Sequence, residues 1–174
     1  MKLTNNLSFE SVMSTYDSDY RNTYLKAQLD ELQEMYEKGF DISNYVDPQF
    51  SSLQLREIKS GLENEVDVSL YADVFYDYAQ MCAMRKCLEE GIDISPYISI
   101  EFNSLQKEEI FEGLIHFLDV SIYANSNFNA RQMRQIRIGL ENGIDVHQYA
   151  YEHIDWQRMA EIRLQLEYQR NASY

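Results

Sequence analysis

The chain has 174 residues, of which 29 are acidic and 15 basic for a net charge of -14; 45% are hydrophobic and 13% aromatic, with only six glycines and two prolines. That much apolar and aromatic material excludes a disordered chain in spite of the charge, and the length suits one domain. No apolar run approaches ~18 residues, and Met1-Lys2-Leu3-Thr4-Asn5-Asn6 opens onto no apolar segment, so a cytoplasmic protein without export signal or membrane span is expected.

Residues 1–23 follow no repeating pattern and read as an N-terminal cap. From Tyr24 onward the sequence recurs every 26 residues, six times and without insertion: Tyr24, Phe50, Tyr76, Phe102, Phe128 and Ile154 form one column, and Gln28, Gln54, Gln80, Gln106 and Gln132 another. Asp41, Asp67, Asp93, Asp119 and Asp145 follow in phase, then Tyr45, Tyr71, Tyr97, Tyr123 and Tyr149. Such phase-locked recurrence marks a repeat protein, whose units bury their apolar faces only against one another.

Each unit opens on an amphipathic helix. The stripe is Leu29, Leu32 and Tyr36 before Gly39 in the first unit, Leu55, Ile58 and Leu62 in the second, and Met81, Met84 and Leu88 before Gly91 in the third. The fourth keeps Ile110 and Leu114 but sets Lys107 in the column of Met81 and Met133. In the fifth, Asn129 is the N-cap, Met133, Ile136 and Leu140 the stripe, and Gly143 the left-handed C-terminal cap, for a helix of about 13 residues and ~20 Å. Glu65 and Phe117 replace the cap glycine in the second and fourth units, which predicts a strained or differently built cap there.

After the cap comes an apolar-Asp-apolar-Ser-x-Tyr segment, as in Phe40-Asp41-Ile42-Ser43-Asn44-Tyr45 and Leu118-Asp119-Val120-Ser121-Ile122-Tyr123. Its aspartate caps a short helix or 3₁₀ turn. Asn171-Ala172-Ser173-Tyr174 reads as a truncated copy. The expected fold is all-α: an α-solenoid of six 26-residue repeats over residues 24–170, each a long helix plus a short helix or 3₁₀ turn, in a single domain 1–174. Layers stacked at ~9–10 Å would make a rod of roughly 55 Å.

The recurring polar residues have structural readings. Equivalent aspartates in adjacent layers stand too far apart to share an ion, so capping is their expected role. The tyrosines fill the groove between layers with the hydroxyl on solvent or a carbonyl, and the glutamines form a hydrogen-bond ladder to loop backbone. Cys82 and Cys87 point about 140° apart on one helix, which disfavours a disulfide and suits a reducing compartment. His116, His147 and His153 occupy three different columns and supply no zinc spacing; no phosphate loop, nucleophile elbow or kinase signature occurs. Glu89-Glu90 and Glu108-Glu109 diverge on their helices. A non-enzyme with no cofactor and no metal is expected.

Function is then sought on the surface. Residues 1–126 hold 23 acids against nine bases, whereas 127–174 hold six of each. Asp30, Glu31, Glu34, Glu37, Glu57, Glu63, Glu108, Glu109 and Glu112 are expected exposed on the long helices, and Glu31, Glu57, Glu109 and Glu161 share one column, an acidic ribbon. Arg131, Arg134 and Arg137 form a contrasting stripe with Arg163 alongside, able to pair with acids of a neighbouring repeat or to contact a phosphate backbone. These twelve acids and arginines, Asp30 through Glu112 and Arg131, Arg134 and Arg137, are the candidate partner-binding residues. The acidic part disfavours direct nucleic-acid binding and favours a basic protein surface.

The unit Gln132-Met133-Arg134-Gln135-Ile136-Arg137-Ile138-Gly139-Leu140-Glu141-Asn142-Gly143-Ile144-Asp145-Val146 resembles a short helical repeat of proteins from Firmicutes, their phages and mobile elements, over about residues 24–174. Small acidic proteins of such elements include anti-CRISPR inhibitors that occupy the DNA-binding surfaces of Cas9. What the resemblance and the charge imply together is a non-catalytic inhibitor that blocks a basic nucleic-acid-binding groove of a host defence nuclease of the Cas9 type. The alternatives are a peptide- or protein-binding scaffold of a mobile element, and nucleic-acid binding through the C-terminal arginines.

Overall fold

The computed structural model describes residues 7–99 and 101–172. The fold is all-helical: among the described residues there are eight α-helices, four 3₁₀ turns and no strand. The chain forms two compact units, one up to Arg85 and the other from Lys86.

The first unit holds α1 (Phe9–Tyr16), α2 (Tyr20–Thr23), α3 (Lys26–Glu37), α4 (Ser52–Glu63), a 3₁₀ turn at Val68–Leu70 and most of α5 (Tyr78–Glu89). Helix α3 packs on α4 and on α1. Its core comprises Met13, Leu32, Met35, Leu55, Ile58, Tyr71, Met81 and Met84, all fully buried. The Phe9 ring lies 6.0 Å from the Tyr36 ring, and the Tyr36 hydroxyl donates to the Leu7 carbonyl at 2.6 Å, so α1 and the residue before it pack against α3. Residues 1–6 of the expected N-terminal cap lie outside the described residues.

The second unit continues α5 and adds a 3₁₀ turn at Ser95–Tyr97, α6 (Ser104–Ile115), a turn at Val120–Ile122, α7 (Ala130–Glu141), a turn at Val146–Gln148 and α8 (Trp156–Asn171). Helix α7 packs on both α6 and α8. Ile94, Ile110, Phe111, Tyr123, Met133, Ile136, Tyr149 and Met159 are fully buried here.

The same local chemistry recurs along the chain. Ser51 Oγ accepts from the Gln54 N–H at 3.3 Å, and Gln54 Oε1 accepts from the Ser51 N–H at 2.8 Å, a reciprocal capping box that satisfies donors a helix start leaves open. Asp77 with Gln80, Asn103 with Gln106 and Asn129 with Gln132 repeat it. The amide nitrogen of the same glutamine then crosses to the next copy. Gln28 Nε2 donates to the Pro48 and Phe50 carbonyls, Gln54 to Val74 and Tyr76, Gln106 to Ser126 and Phe128, and Gln132 to Glu152 and Ile154. One buried side chain thus starts its own helix and holds the following turn.

Helix ends recur too. Gly39, Gly91 and Gly143 take positive φ at 81°, 74° and 63°, and Glu65 and Phe117 take the same left-handed conformation at 59° and 55°. The cap is conserved in shape and carries the strain of a side chain where glycine is absent. Next, the carboxylates of Asp67, Asp119 and Asp145 accept from the N–H two residues on and open the 3₁₀ turns. In three copies Tyr71, Tyr123 and Tyr149 donate their hydroxyls to the carbonyls of Glu57, Glu109 and Gln135 at 3.0, 3.0 and 3.1 Å. They lie against Gly61, Gly113 and Gly139 of their own long helix, whose missing side chain makes the approach possible.

Two positions depart from the repeating pattern. Lys107 is buried, its ammonium donating to the Ile98 carbonyl at 2.9 Å. Helix α8 runs for 16 residues, past Gln169 at the position equivalent to Gly143; Asn171 belongs to the helix and begins no turn segment. Ser173 and Tyr174 lie outside the described residues.

Candidate interaction surface

The acidic column is the main correction to the sequence reading. Glu31 and Glu109 are buried at 7% and 9% exposure, and Glu57 is half-buried. Each is answered by a cation 28 residues further on. Lys59 Nζ lies 2.5 Å from Glu31 Oε2 and 2.5 Å from Glu34 Oε2, Arg85 Nε 2.9 Å from Glu57 Oε2, and Arg137 Nε 2.8 Å from Glu109 Oε2. Arg56 adds a second bond to Glu31 at 2.9 Å. A 28-residue spacing reaches from one long helix to the next, two residues further along, so the two helices present opposite charges to one another. Where the acid becomes Gln135, Arg163 Nε donates to its amide oxygen at 3.2 Å; the corresponding residues 83 and 111 are Ala83 and Phe111, both uncharged. The sequence shows these pairs only if the columns are offset by two residues as well as by one period.

The arginine stripe divides accordingly. Arg137 is enclosed by Glu109 and Glu141, whereas Arg131 and Arg134 are exposed. Arg131 lies over the Trp156 ring, 5.3 Å from its centroid, and with Arg134, Leu105 and Glu108 it lines a groove of about 210 Å³. Burial opposes the charge on Lys59 and Arg137, but hydrogen bonds to Glu31 and Glu34, and to Glu109, outweigh it and hold both cations above their ordinary pKa. The Lys59 hydrogen bond keeps the Glu34 carboxyl below its usual range.

Of the remaining predicted residues, Glu63 pairs with Lys38, Glu37 accepts from Gln33 Nε2 at 2.7 Å, and Glu112 lies 3.8 Å from His116 Nδ1. Asp30 and Glu108 are exposed. A second acidic set, of which the sequence reading took only Asp41 and Asp67 and those as turn caps, lies on the loops of the first unit. Asp41, Asp67, Asp73 and Asp77 are exposed and Asp47 half-buried. Asp41, Asp47, Asp67 and Asp73 each use one carboxylate oxygen to accept an N–H two residues on. No lysine or arginine occurs between residues 60 and 84, and Phe75, between Asp73 and Asp77, is 88% exposed.

Among the described residues no group of three or more His, Cys, Asp or Glu could hold a metal ion, and no helix is long and apolar enough to cross a membrane. Both cysteines are free thiols; burial pushes the Cys87 pKa up to about 12, which leaves it unreactive at neutral pH. No protein-family model, curated protein or solved structure matches the chain.

Proposed function

We propose that the chain is a non-catalytic protein-binding module, a solenoid of six 26-residue helical repeats whose acidic turn edge docks on a basic groove of a partner protein. A mobile-element inhibitor of a Cas9-type defence nuclease would act this way, by occupying a surface meant for phosphates. One observation carries the reading. The recurring polar side chains of the long helices are consumed by internal bonds, while Asp67, Asp73 and Asp77 stay exposed in a stretch, residues 60–84, that holds no lysine or arginine, and Asp41 is exposed on the preceding loop. Carboxylates held by turn hydrogen bonds keep a fixed spacing at low entropic cost, which favours recognition of a basic surface.

The test is a DNA-cleavage assay with a purified Cas9-type nuclease and guide, together with co-elution at 50 and 200 mM salt. Inhibition and co-elution that weaken steeply with salt are expected, as is their loss when Asp67, Asp73 and Asp77 are changed to asparagine. Undiminished cutting and no co-elution at low salt would end the proposal for this partner class. A peptide-binding scaffold held by apolar anchors predicts salt-insensitive binding instead. Nucleic-acid binding is left with Arg131 and Arg134, since Arg137 is committed to Glu109 and Glu141.

A further inference from the structure

The last turn of the second unit breaks the repeat pattern at one place. The first position of this turn is Asp47, Asp73, Ser99 and Asn125 in the earlier copies, each accepting an N–H two residues on, and the last copy replaces it with Tyr151, followed by Glu152 and His153. Side chains that depart from a repeat are not required by its packing. Here they line a groove of about 420 Å³, together with Ile122, Phe128 and Ala150.

The groove sets apolar side chains beside one oriented carboxylate. Phe128 is buried beneath it, and the Tyr151 and His153 rings stand 5.7 Å apart with an angle of 31° between their planes. Glu152 Oε1 accepts from Asn125 Nδ2 at 2.8 Å and from Asn127 Nδ2 at 3.1 Å, while Oε2 has no partner among the described residues. The backbone beneath is fixed as well, because the Glu152 and Ile154 carbonyls accept from Gln132 Nε2 and the Ile154 N–H donates to the Tyr151 carbonyl at 3.0 Å. No lysine or arginine occurs in residues 108–130 or 138–157, the stretches that supply the groove, although arginine is frequent in the segments between and after them. No lysine or arginine lines the groove, so Glu152 supplies its negative charge, and the Tyr151 and His153 rings share the same lining.

We propose that this groove is a binding pocket for an arginine side chain presented by a basic protein partner. A guanidinium stacks on aromatic planes and bonds a carboxylate along its edge, and Tyr151, His153 and Glu152 offer both. The two asparagines orient the carboxylate before the ligand arrives, which lowers the entropic cost of binding. This pocket rests on the reading of the chain as a binder of basic surfaces and supplies it with an anchor.

The experiment titrates a blocked pentapeptide, alanine with a central arginine, into the ¹⁵N-labelled full chain at 50 mM salt, beside the same peptide carrying uncharged citrulline. Saturable shifts of the amides of residues 122–128 and 150–154 are expected. Affinity should fall at least about tenfold for citrulline, for Glu152→Gln and for Tyr151→Ala, the two variants keeping the native circular dichroism spectrum. Equal affinity for the citrulline peptide, or unchanged binding in Glu152→Gln, overturns the pocket. Shifts confined to the loops between Asp41 and Asp77 also overturn it while leaving the acidic docking reading in place. Shifts in the groove without co-elution of any basic partner support the pocket and overturn that wider reading.

Discussion

Alanine at Gly139 should destabilise the protein, against the usual direction for such a change. In an unobstructed helix interior, glycine to alanine stabilises by about 0.5–1 kcal/mol through backbone entropy. A Cβ built on Gly139 instead falls well inside van der Waals contact of the Tyr149 hydroxyl, 2.8 Å from Val146 Cγ1 and 3.2 Å from Tyr149 Cζ. Tyr149 must move, giving up its hydrogen bond to the Gln135 carbonyl, worth about 1 kcal/mol, and straining a fully buried ring, at about 1–3 kcal/mol. The net loss is about 2 kcal/mol, or a fall in Tm of about 4–8 °C for a chain of this size. Urea and thermal unfolding followed by far-ultraviolet circular dichroism would measure it. Tyr149→Phe alone should cost about 1 kcal/mol. The double variant Gly139→Ala with Tyr149→Phe should lose less than the two single changes together by about 1 kcal/mol, because the hydroxyl that meets the new methyl is gone. A Tm raised by Gly139→Ala, or strict additivity in the double variant, would refute the reasoning. The protein carries its own comparison: Met35 and Cys87 stand where Gly61, Gly113 and Gly139 stand in other copies, and their tyrosines, Tyr45 and Tyr97, are less deeply buried than Tyr71, Tyr123 and Tyr149.

Arg137→Gln should cost about 3 kcal/mol in urea unfolding by leaving Glu109 buried without its cation, while Arg134→Gln on the exposed side of the same helix should stay within about 0.5 kcal/mol. Phe117→Gly should raise Tm by about 1–3 °C, since it relieves a left-handed φ of 55° from a side chain that is 71% exposed. In Glu167, burial works against ionisation, but hydrogen bonds from Asn142 and Arg163 prevail and hold the carboxyl below its usual range. A folded-state pKa below the unfolded one contributes stability above the ordinary carboxylate value of 4.5, and that contribution disappears as the pH falls through the folded value. Tm should therefore decline below about pH 4.5, less steeply in Glu167→Gln, and an identical slope in that variant would count against the assignment.

Much of the helical architecture was legible because it depends on neighbours in sequence. The helix starts at Ser51, Asn103 and Asn129, the left-handed caps and the aspartate-led turns are local hydrogen-bond patterns, and a residue type at the right offset is enough to predict them. The glutamine column carried more than its position suggested. The expected ladder to loop backbone is present, and Ser51-x-x-Gln54 is a capping-box spelling that shows the second role of the same side chain at its own helix start. The glycines of α4, α6 and α7 were visible as well, ten residues before each deeply buried tyrosine.

The exposed acidic ribbon was the reading that failed, for a physical reason. A column of like residues reports what is equivalent between copies, whereas stacked helices touch through residues that are not equivalent. Glu31 meets Lys59, and Glu109 meets Arg137, across an offset set by how one helix lies on the next. Counting charges along the chain cannot show that offset, so it overstated the acidity of the helices and missed the turn edge where charge stays exposed. By itself the sequence determined the period, the helices and their caps, since these are written in contacts within a few residues. Only the tertiary structure decided which charges neutralise one another, which tyrosines lie on glycine and which side chains line a groove, because each depends on the side-by-side packing of segments about 14 to 28 residues apart.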